Sequence, residues 1–332
     1  MKGIVLDRSL PSKIDFREVE EKPLLDHQVK ITLKAAALNH RDEWCRQGLY
    51  PNISYGIILG SDGAGIISEV GKRVSNWKVG EEVIINPALF WGNDQKAQSK
   101  DFQIIGMPTH GTLANTIIVS SDRIHSKPKH LSWEEAAALP LAGLTAFRAL
   151  VYQGNIQEND RVLITGIGGG VAQFAAQFAI KKGAEVYVSS SSTEKIEKAL
   201  EFGSKGGFNY REKNWTEEAL SKTGGFDLII DGASGDPLND LIKVSRPGGR
   251  IVIYGATRGN PEKLEARRIF WNQLKIIGST MGSDQDFQAM LDFVNQKKLH
   301  PIIDQVFQLE DAEKALDRMK AGSQMGKIVL IP

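Results

Sequence analysis

The sequence predicts an α/β protein of two domains, one irregular and β-rich, the other a doubly wound parallel sheet. Three observations carry that expectation. From about residue 160 to 280 apolar strands alternate with helices, the βαβ pattern of a parallel sheet covered on both faces. A glycine-rich bend at 166–172 lies between the first of these strands and the first of these helices. Before this block, the first 120 or so residues read as short strands broken by Gly and Pro. The chain has 332 residues, more than the roughly 150 to 250 at which a single core stops growing.

In chain order, "HQVKITLKAAAL" alternates its faces as a strand does, and "GAGIISEVG" and "GEEVIINP" follow as further strands. Between the first two, "RDEWCRQ" reads as helical, which would aim His40 and Cys45 roughly 140° apart. Residues 86–107 are the least regular segment and are expected as a long surface excursion. The texture changes near Leu131. There Ser132 is placed to cap a helix, with Glu135 three residues on to complete a capping box. "DRVLITG" then reads as a strand, "VAQFAAQFAIKKG" as a helix ending at Gly183, "AEVYVSS" as a strand and "STEKIEKALEFG" as a helix ending at Gly203. "FDLIIDGA", "GGRIVIYGA" and "LKIIGST" supply three more apolar strands, with "PLNDLIKVSRPGG" as a helix between the first two. After Gly282, "DQDFQAMLDFVNQKKL" is helical and "GKIVLIP" is a final strand.

Bulk composition narrows the function classes. With 41 Lys+Arg against 40 Asp+Glu the formal charge is +1, so no extended basic surface is available for a nucleic-acid backbone or an anionic membrane. One cysteine forms no internal disulfide, which suits a cytoplasmic location. The first residues lack an apolar stretch of signal-peptide length, and "AAALPLAGLTAFRAL", which holds Pro140 and Arg148, is too short for a membrane span; neither export nor anchoring is expected.

The bend sits in "VLITGIGGGVAQFAAQFA". Glycines at 166, 168, 169 and 170 let the backbone turn tightly and approach a phosphate, and the unpaired amides of the new helix, Val171 among them, face its charge. Gly166-x-x-Gly169-x-x-Ala172 keeps a small residue where helix and strand pack. This is the pattern of a dinucleotide site. An acidic residue about 20 positions on would bind the adenosine ribose of NADH. The chain has "VYVSSSSTEK" there instead. The hydroxyls of Ser189, Ser190 and Ser191 and the charge of Lys195 favour the extra phosphate of NADPH, and Tyr210 is placed to cover the adenine. Glu194 beside Lys195 tempers that charge.

The pieces "ALNHRDEWCRQGLYP", "ILGSDGAGIISEVG", "VGEEVIIN", "GTLANTIIV", "LAGLTAFRAL", "RPGGRIVIYGA" and "GKIVLIP", in this order around the bend, resemble the medium-chain dehydrogenase/reductase superfamily over nearly the whole length. Within it the chain is similar to the zinc-independent quinone oxidoreductase and enone reductase branch, which includes bacterial zinc-type alcohol dehydrogenase-like proteins. The resemblance implies a GroES-like substrate domain at 1–125 and 282–332, and a Rossmann NADP(H)-binding domain at 126–281. It also bears on the metal. In zinc-containing relatives a Cys stands at the position of Asn39 and a His-Glu pair at Ser61 and Asp62; the residues found here are poor ligands for a tetrahedral site, and no metal is expected.

The resemblance further places Asn39, Asp42 and Tyr50 around the cleft between the domains and Thr145 near the nicotinamide. Tyr50 is assigned as donor to a substrate carbonyl or as proton source, Asn39 as a second donor or positioning group, and Thr145 as orienting the cofactor ring. Asp42 is expected to hold Arg46 or a backbone amide, and His110 is a further histidine within reach. Tyr254, Gly255 and Ala256 are expected beside the cofactor backbone, and Ser279 at its carboxamide. "LKIIGST", as an open apolar edge strand, suits pairing into a homodimer across 274–280, which the family also implies. The expected function is NADPH-dependent reduction of quinones or α,β-unsaturated carbonyls by hydride transfer. An alcohol dehydrogenase with an unusual metal site and a non-catalytic NADPH-binding redox sensor are the alternatives.

Overall fold

A computed structural model describes all 332 residues. The chain divides into two compact units, Met1–Ala142 together with Gly282–Pro332, and Gly143–Met281. The second unit starts at Gly143 rather than 126, because the helix Trp133–Ala138 packs on the strands Gln28–Ala37 and Asp62–Val70 of the first unit. That helix opens as its sequence requires: Ser132 accepts from the Glu135 amide, and the Glu135 carboxylate returns a bond to the Ser132 amide.

The first unit is built on a seven-stranded sheet in the order Ile303–Gln308, Lys327–Ile331, Gln28–Ala37, Asp62–Val70, Glu82–Ile85 and Ile124–Ser126, with Thr116–Ser120 also paired to Gln28–Ala37. Register decides what meets at its end. Ala37 lies opposite both Val329 and Asp62, so the residues just beyond Ala37 run alongside the start of the final strand. Gly326 makes that strand possible: it holds φ +106°, and a Cβ there would lie 2.2 Å from the Ile302 carbonyl oxygen. The irregular segment is only partly a surface excursion. Ala88–Leu89 pairs with Gln103–Ile104, Trp91 packs edge-on against Phe102, and Ile105 and Met107 are buried; Phe90 is the exposed tip.

The second unit holds a six-stranded parallel sheet in the order Gly206–Asn209, Glu185–Ser190, Arg161–Ile164, Phe226–Asp231, Ser245–Ile253, Lys275–Gly278. This is the doubly wound order, with the chain reversing direction of travel at the strand Arg161–Ile164. One expectation is shortened. The helix in "PLNDLIKVSRPGG" ends at Val244, and "SRPGG" opens the next strand, because Pro247 lacks a helical donor and Gly248 sits at φ +78°. Leu163, Phe226, Ile229 and Ile251 pack with Leu238, Leu241 and Ile242 on one face of the sheet.

Candidate active site

In the second unit, the helix Gly170–Lys181 starts directly from the bend. Gly166 adopts φ +61° and has open space where a Cβ would stand, so backbone, not a side chain, lines the bend. No side chain caps this helix, and Gly169 spends its own amide on the Gly166 carbonyl at 2.9 Å. Gly168, Gly170 and Val171 remain half-exposed, with first-turn amides that an anion can use. The bend is braced by the Ile167 amide on the Ser189 carbonyl and by Gln173 Nε2 on the Ile167 carbonyl. These features fit a dinucleotide pyrophosphate.

The serines are not equivalent. Ser189 and Ser190 are buried, and Ser190 Oγ accepts from the Ser192 amide; Ser191 is half-buried. Ser192, which sequence reasoning passed over, caps the helix Thr193–Glu201 by accepting from the Lys195 amide. Tyr210, exposed, is tied to this group through its amide on the Ser190 carbonyl. At the neighbouring strand ends, Tyr254 donates its amide to the Asp231 carbonyl, and its ring lies where a Cβ on Gly232 would be. Burial, then the Asp231 charge, pushes the Tyr254 phenol well above its ordinary pKa. Gly255 and the exposed Ala256 follow, and Gly255 is pressed against the Gly232 carbonyl. Ser279 donates its amide to Ile253, while its hydroxyl is buried with no protein partner, a group a ligand amide would satisfy. Thr145 is buried with its hydroxyl 3.8 Å from the Met281 sulfur.

The sheet end also carries a bracket absent from the sequence reading. The buried Asp231 accepts from Thr165 Oγ1 at 2.5 Å and from the Ser234 amide at 2.7 Å, locking two adjacent strand ends together. The one signal for it was an acidic residue closing the apolar run of "FDLIID".

In the first unit the helix His40–Gln47 places the other set. Asp42 is scaffold: one carboxylate oxygen accepts from the Asn39 amide at 2.8 Å, the other from the Gly60 amide at 3.2 Å. Its burial raises its pKa, against the pull of Arg41. It does not hold Arg46. Arg46 is gripped by Glu43 at 2.6 Å and Asp317 at 2.6 Å, which ties this helix to Ala312–Lys320. Tyr50 is half-buried; Arg41 Nε donates to its hydroxyl at 3.3 Å, and the guanidinium lies 4.9 Å from its ring centre. With the phenol oxygen accepting from a cation, its own proton is left to donate elsewhere. His110 is committed, its Nδ1 accepting from the Ile58 amide at 3.0 Å.

The three positions compared with metal ligands are engaged among themselves and with two cations. Arg41 Nη1 donates to Ser61 Oγ at 2.6 Å, and Ser61 in turn donates to the Ile105 carbonyl. Lys327 Nζ donates to Asn39 Oδ1 at 2.7 Å and to Asp62 Oδ2 at 3.0 Å. Asn39 Nδ2 donates to the same Asp62 oxygen at 2.9 Å, and Asp62 Oδ1 accepts from the Leu141 amide. Asp62 is fully buried and Lys327 is 4% exposed. Two buried positive charges and an amide are the wrong company for Zn²⁺. No group of three or more His, Cys, Asp or Glu side chains is arranged to hold a metal ion. Cys45, buried in the apolar core, has its thiol pushed up to about 12 by burial and the Asp42 charge. Desolvation, and then the Lys327 charge, lowers the pKa of His40.

A doubly wound sheet with a glycine bend that fits a dinucleotide, in one chain with this polar cluster, is the architecture of an oxidoreductase. Comparison with known proteins makes the assignment specific. Residues 25–129 match the alcohol dehydrogenase GroES-like domain family and residues 170–296 the zinc-binding dehydrogenase family. The chain is 36% identical to the zinc-type alcohol dehydrogenase-like protein YogA of Leptosphaeria maculans, over 92% of this chain and 90% of that one. It is 29% identical to a quinone oxidoreductase of Mus musculus, over 92% and 89% respectively. A solved structure described as an NAD-dependent alcohol dehydrogenase superposes with a TM-score of 0.95 at 34% identity, covering 100% of both chains. The chain therefore belongs to the medium-chain dehydrogenase/reductase superfamily, in its quinone oxidoreductase-like branch, and is an oxidoreductase. No helix is long and apolar enough to cross a membrane.

Proposed function

We propose that this protein is an NADPH-dependent reductase of quinones or α,β-unsaturated carbonyls that works without a metal ion. The observation that carries this reading is the pair of buried cations, Arg41 and Lys327, bonded to the side chains that stand where zinc-containing relatives have ligands. Alcohol oxidation asks for an ion that stabilises an alkoxide. Reduction of an activated C=C bond or a quinone needs only donors for the charge that builds on oxygen.

Bound NADPH supplies the hydride. The chain's residues do the rest. The bend 166–171 holds the pyrophosphate, and Ser189, Ser190, Ser191 and Lys195 form the surroundings of the adenosine phosphate, with Ser191 and Lys195 the more accessible. Tyr210 covers the adenine. Tyr254, Gly255 and Ala256 flank the cofactor, Ser279 offers its unpartnered hydroxyl to the carboxamide, and Thr145 orients the ring. Tyr50 gives its proton to the carbonyl, and Asn39 adds an amide donor. NADPH is favoured over NADH because the strand Glu185–Ser190 ends in serines, with no carboxylate to repel a phosphate. The edge strand Lys275–Gly278, with Ile276 partly open and Phe270 and Trp271 exposed nearby, suits homodimer formation. The lone buried Cys45 suits the cytoplasm. An alcohol dehydrogenase is the second reading, favoured by the NAD-dependent structure above.

Cofactor oxidation assayed on 1,2-quinones, 1,4-quinones, alkenals and acyl thioesters tests the reading. Turnover with NADPH on at least one class, unchanged by a chelator, is expected. Chelator-sensitive oxidation of alcohols with no turnover on that panel would replace it with the second reading.

A further inference from the structure

Lys327 has no assigned role, yet it is the most unusual side chain of the first unit: an ammonium 4% exposed, held by one amide oxygen and one fully buried carboxylate. A buried ion pair adds little stability over an apolar pair of the same volume, so stability alone is a weak reason for it. Its geometry does something an apolar pair would not. An ammonium only donates and a carboxylate only accepts, so the Asn39 amide between them has a single consistent orientation, Oδ1 toward Lys327 and Nδ2 toward Asp62. Counting donors, Asn39 Nδ2 bears two hydrogens and spends one on Asp62; Lys327 Nζ bears three and spends two. One N–H remains on each.

We propose that these two N–H groups form the oxyanion-binding pair of the enzyme, with Lys327 a catalytic residue that supplies the fixed positive charge and Asp62 a positioning residue that holds both donors in place. The inference rests on the functional reading above, in which Asn39 meets the substrate. In the step it serves, the hydride forms a C–H bond at the electrophilic carbon. The π pair moves through the conjugated system onto the carbonyl oxygen; a bound NADPH would be the source of the hydride and would be left as NADP⁺. The new negative charge on oxygen is then met by an ammonium and an amide already oriented by buried partners, with no reorganisation. A proton from Tyr50 or water completes the reduction. Three strands deliver the arrangement: Asp62 faces Ala37 across one ladder, and the Leu38 amide bonds Ile328 across the other, which sets Asn39 beside Lys327.

The test compares nucleotide-loaded wild type with Lys327→Met and with the double variant Lys327→Met/Asp62→Asn. The double variant removes the charge from both partners, so it keeps the fold where the single variant leaves a buried carboxylate alone. The probe is 4-nitrophenolate, an aryl oxyanion, at a pH where it is ionised. Wild type should bind it and shift its absorption band to shorter wavelength, because donors stabilise the localised anion. The double variant should leave the band at its solution position while binding NADPH with unchanged affinity. Its kcat on a quinone or enone should fall roughly 100-fold, the usual loss for an oxyanion donor, with KM for NADPH unchanged. A wild-type protein that leaves the band unmoved, or a double variant that shifts it as wild type does, overturns the proposal. Absence of turnover across the whole substrate panel, with the band shift present and lost on substitution, would remove the quinone and enone reading and leave the oxyanion pair standing.

Discussion

The glycine bend of the second unit is built from one strand, one turn and one helix start, mostly through backbone groups, with the Ser189 carbonyl of the next strand as a brace. The cluster in the first unit joins Asn39, Asp62 and Lys327 across separations of 23, 265 and 288 positions, and it does so through side chains, with the Leu141 amide on Asp62 as a backbone contact. The first kind of site depends on local conformation and tolerates changes around it. The second depends on strand register and on mutual charge balance, so removing one member leaves the others buried and uncompensated.

That contrast sets the order of expected effects. The largest follows Asp62→Ala, which strands the Lys327 ammonium and the Leu141 amide. A loss of about 3–5 kcal/mol in unfolding free energy is expected, read from urea titration. Joint replacement with Lys327→Met should recover most of it. Equal loss in the single and double variants would mean that packing, not charge pairing, holds this corner.

A smaller effect belongs to the second unit. Lys195→Ala should raise the KM for NADPH about 10-fold, the worth of one charged hydrogen bond, and leave that for NADH nearly unchanged. Equal changes for both nucleotides would show that Lys195 serves the helix start and not the extra phosphate, and the comparison would lose its cofactor half.

The smallest effect is one of pH. Burial lowers the pKa of His110 and of His125, with Lys22 adding to the first and Arg123 to the second. Their folded values lie below their unfolded values, so the unfolded chain takes up protons first as pH falls. The stability these groups contribute is present above about 6.5 and lost as pH drops through the folded values. Urea midpoints should therefore decline on acidification below that point, and His110→Gln should flatten part of the slope. An unaltered slope in that variant would mean that the imidazole is protonated in the folded chain, at odds with its Nδ1 accepting the Ile58 amide.

The same contrast explains which features were legible in the sequence. The doubly wound sheet, the helix started by Ser132 and Glu135 and the bend at 166–172 were legible because period, cap and glycine spacing are local signals. The unit boundary at Gly143 was not, since it depends on a helix docking against distant strands. "GKIVLIP" was recognisable as a closing strand, but nothing in it says that Lys327 turns inward to Asn39 and Asp62; only the register of three strands does. Likewise Arg41 was visible inside "NHRD" and went unused, because its partners Ser61, Ile105 and Tyr50 come from other segments. Asp42 was expected to hold Arg46 or a backbone amide; it holds the amides of Asn39 and Gly60, and the second, from another segment, was beyond what spacing reveals.

The Lys327 ammonium bonds both Asn39 and Asp62, and the proposed function has these residues work without a metal ion. Elemental analysis by mass spectrometry of protein purified without chelator, then repeated after dialysis against excess zinc, tests it most directly. Zinc far below one ion per chain is expected in both samples. One tightly held zinc per chain, lost when Asp62 is replaced, would contradict the account.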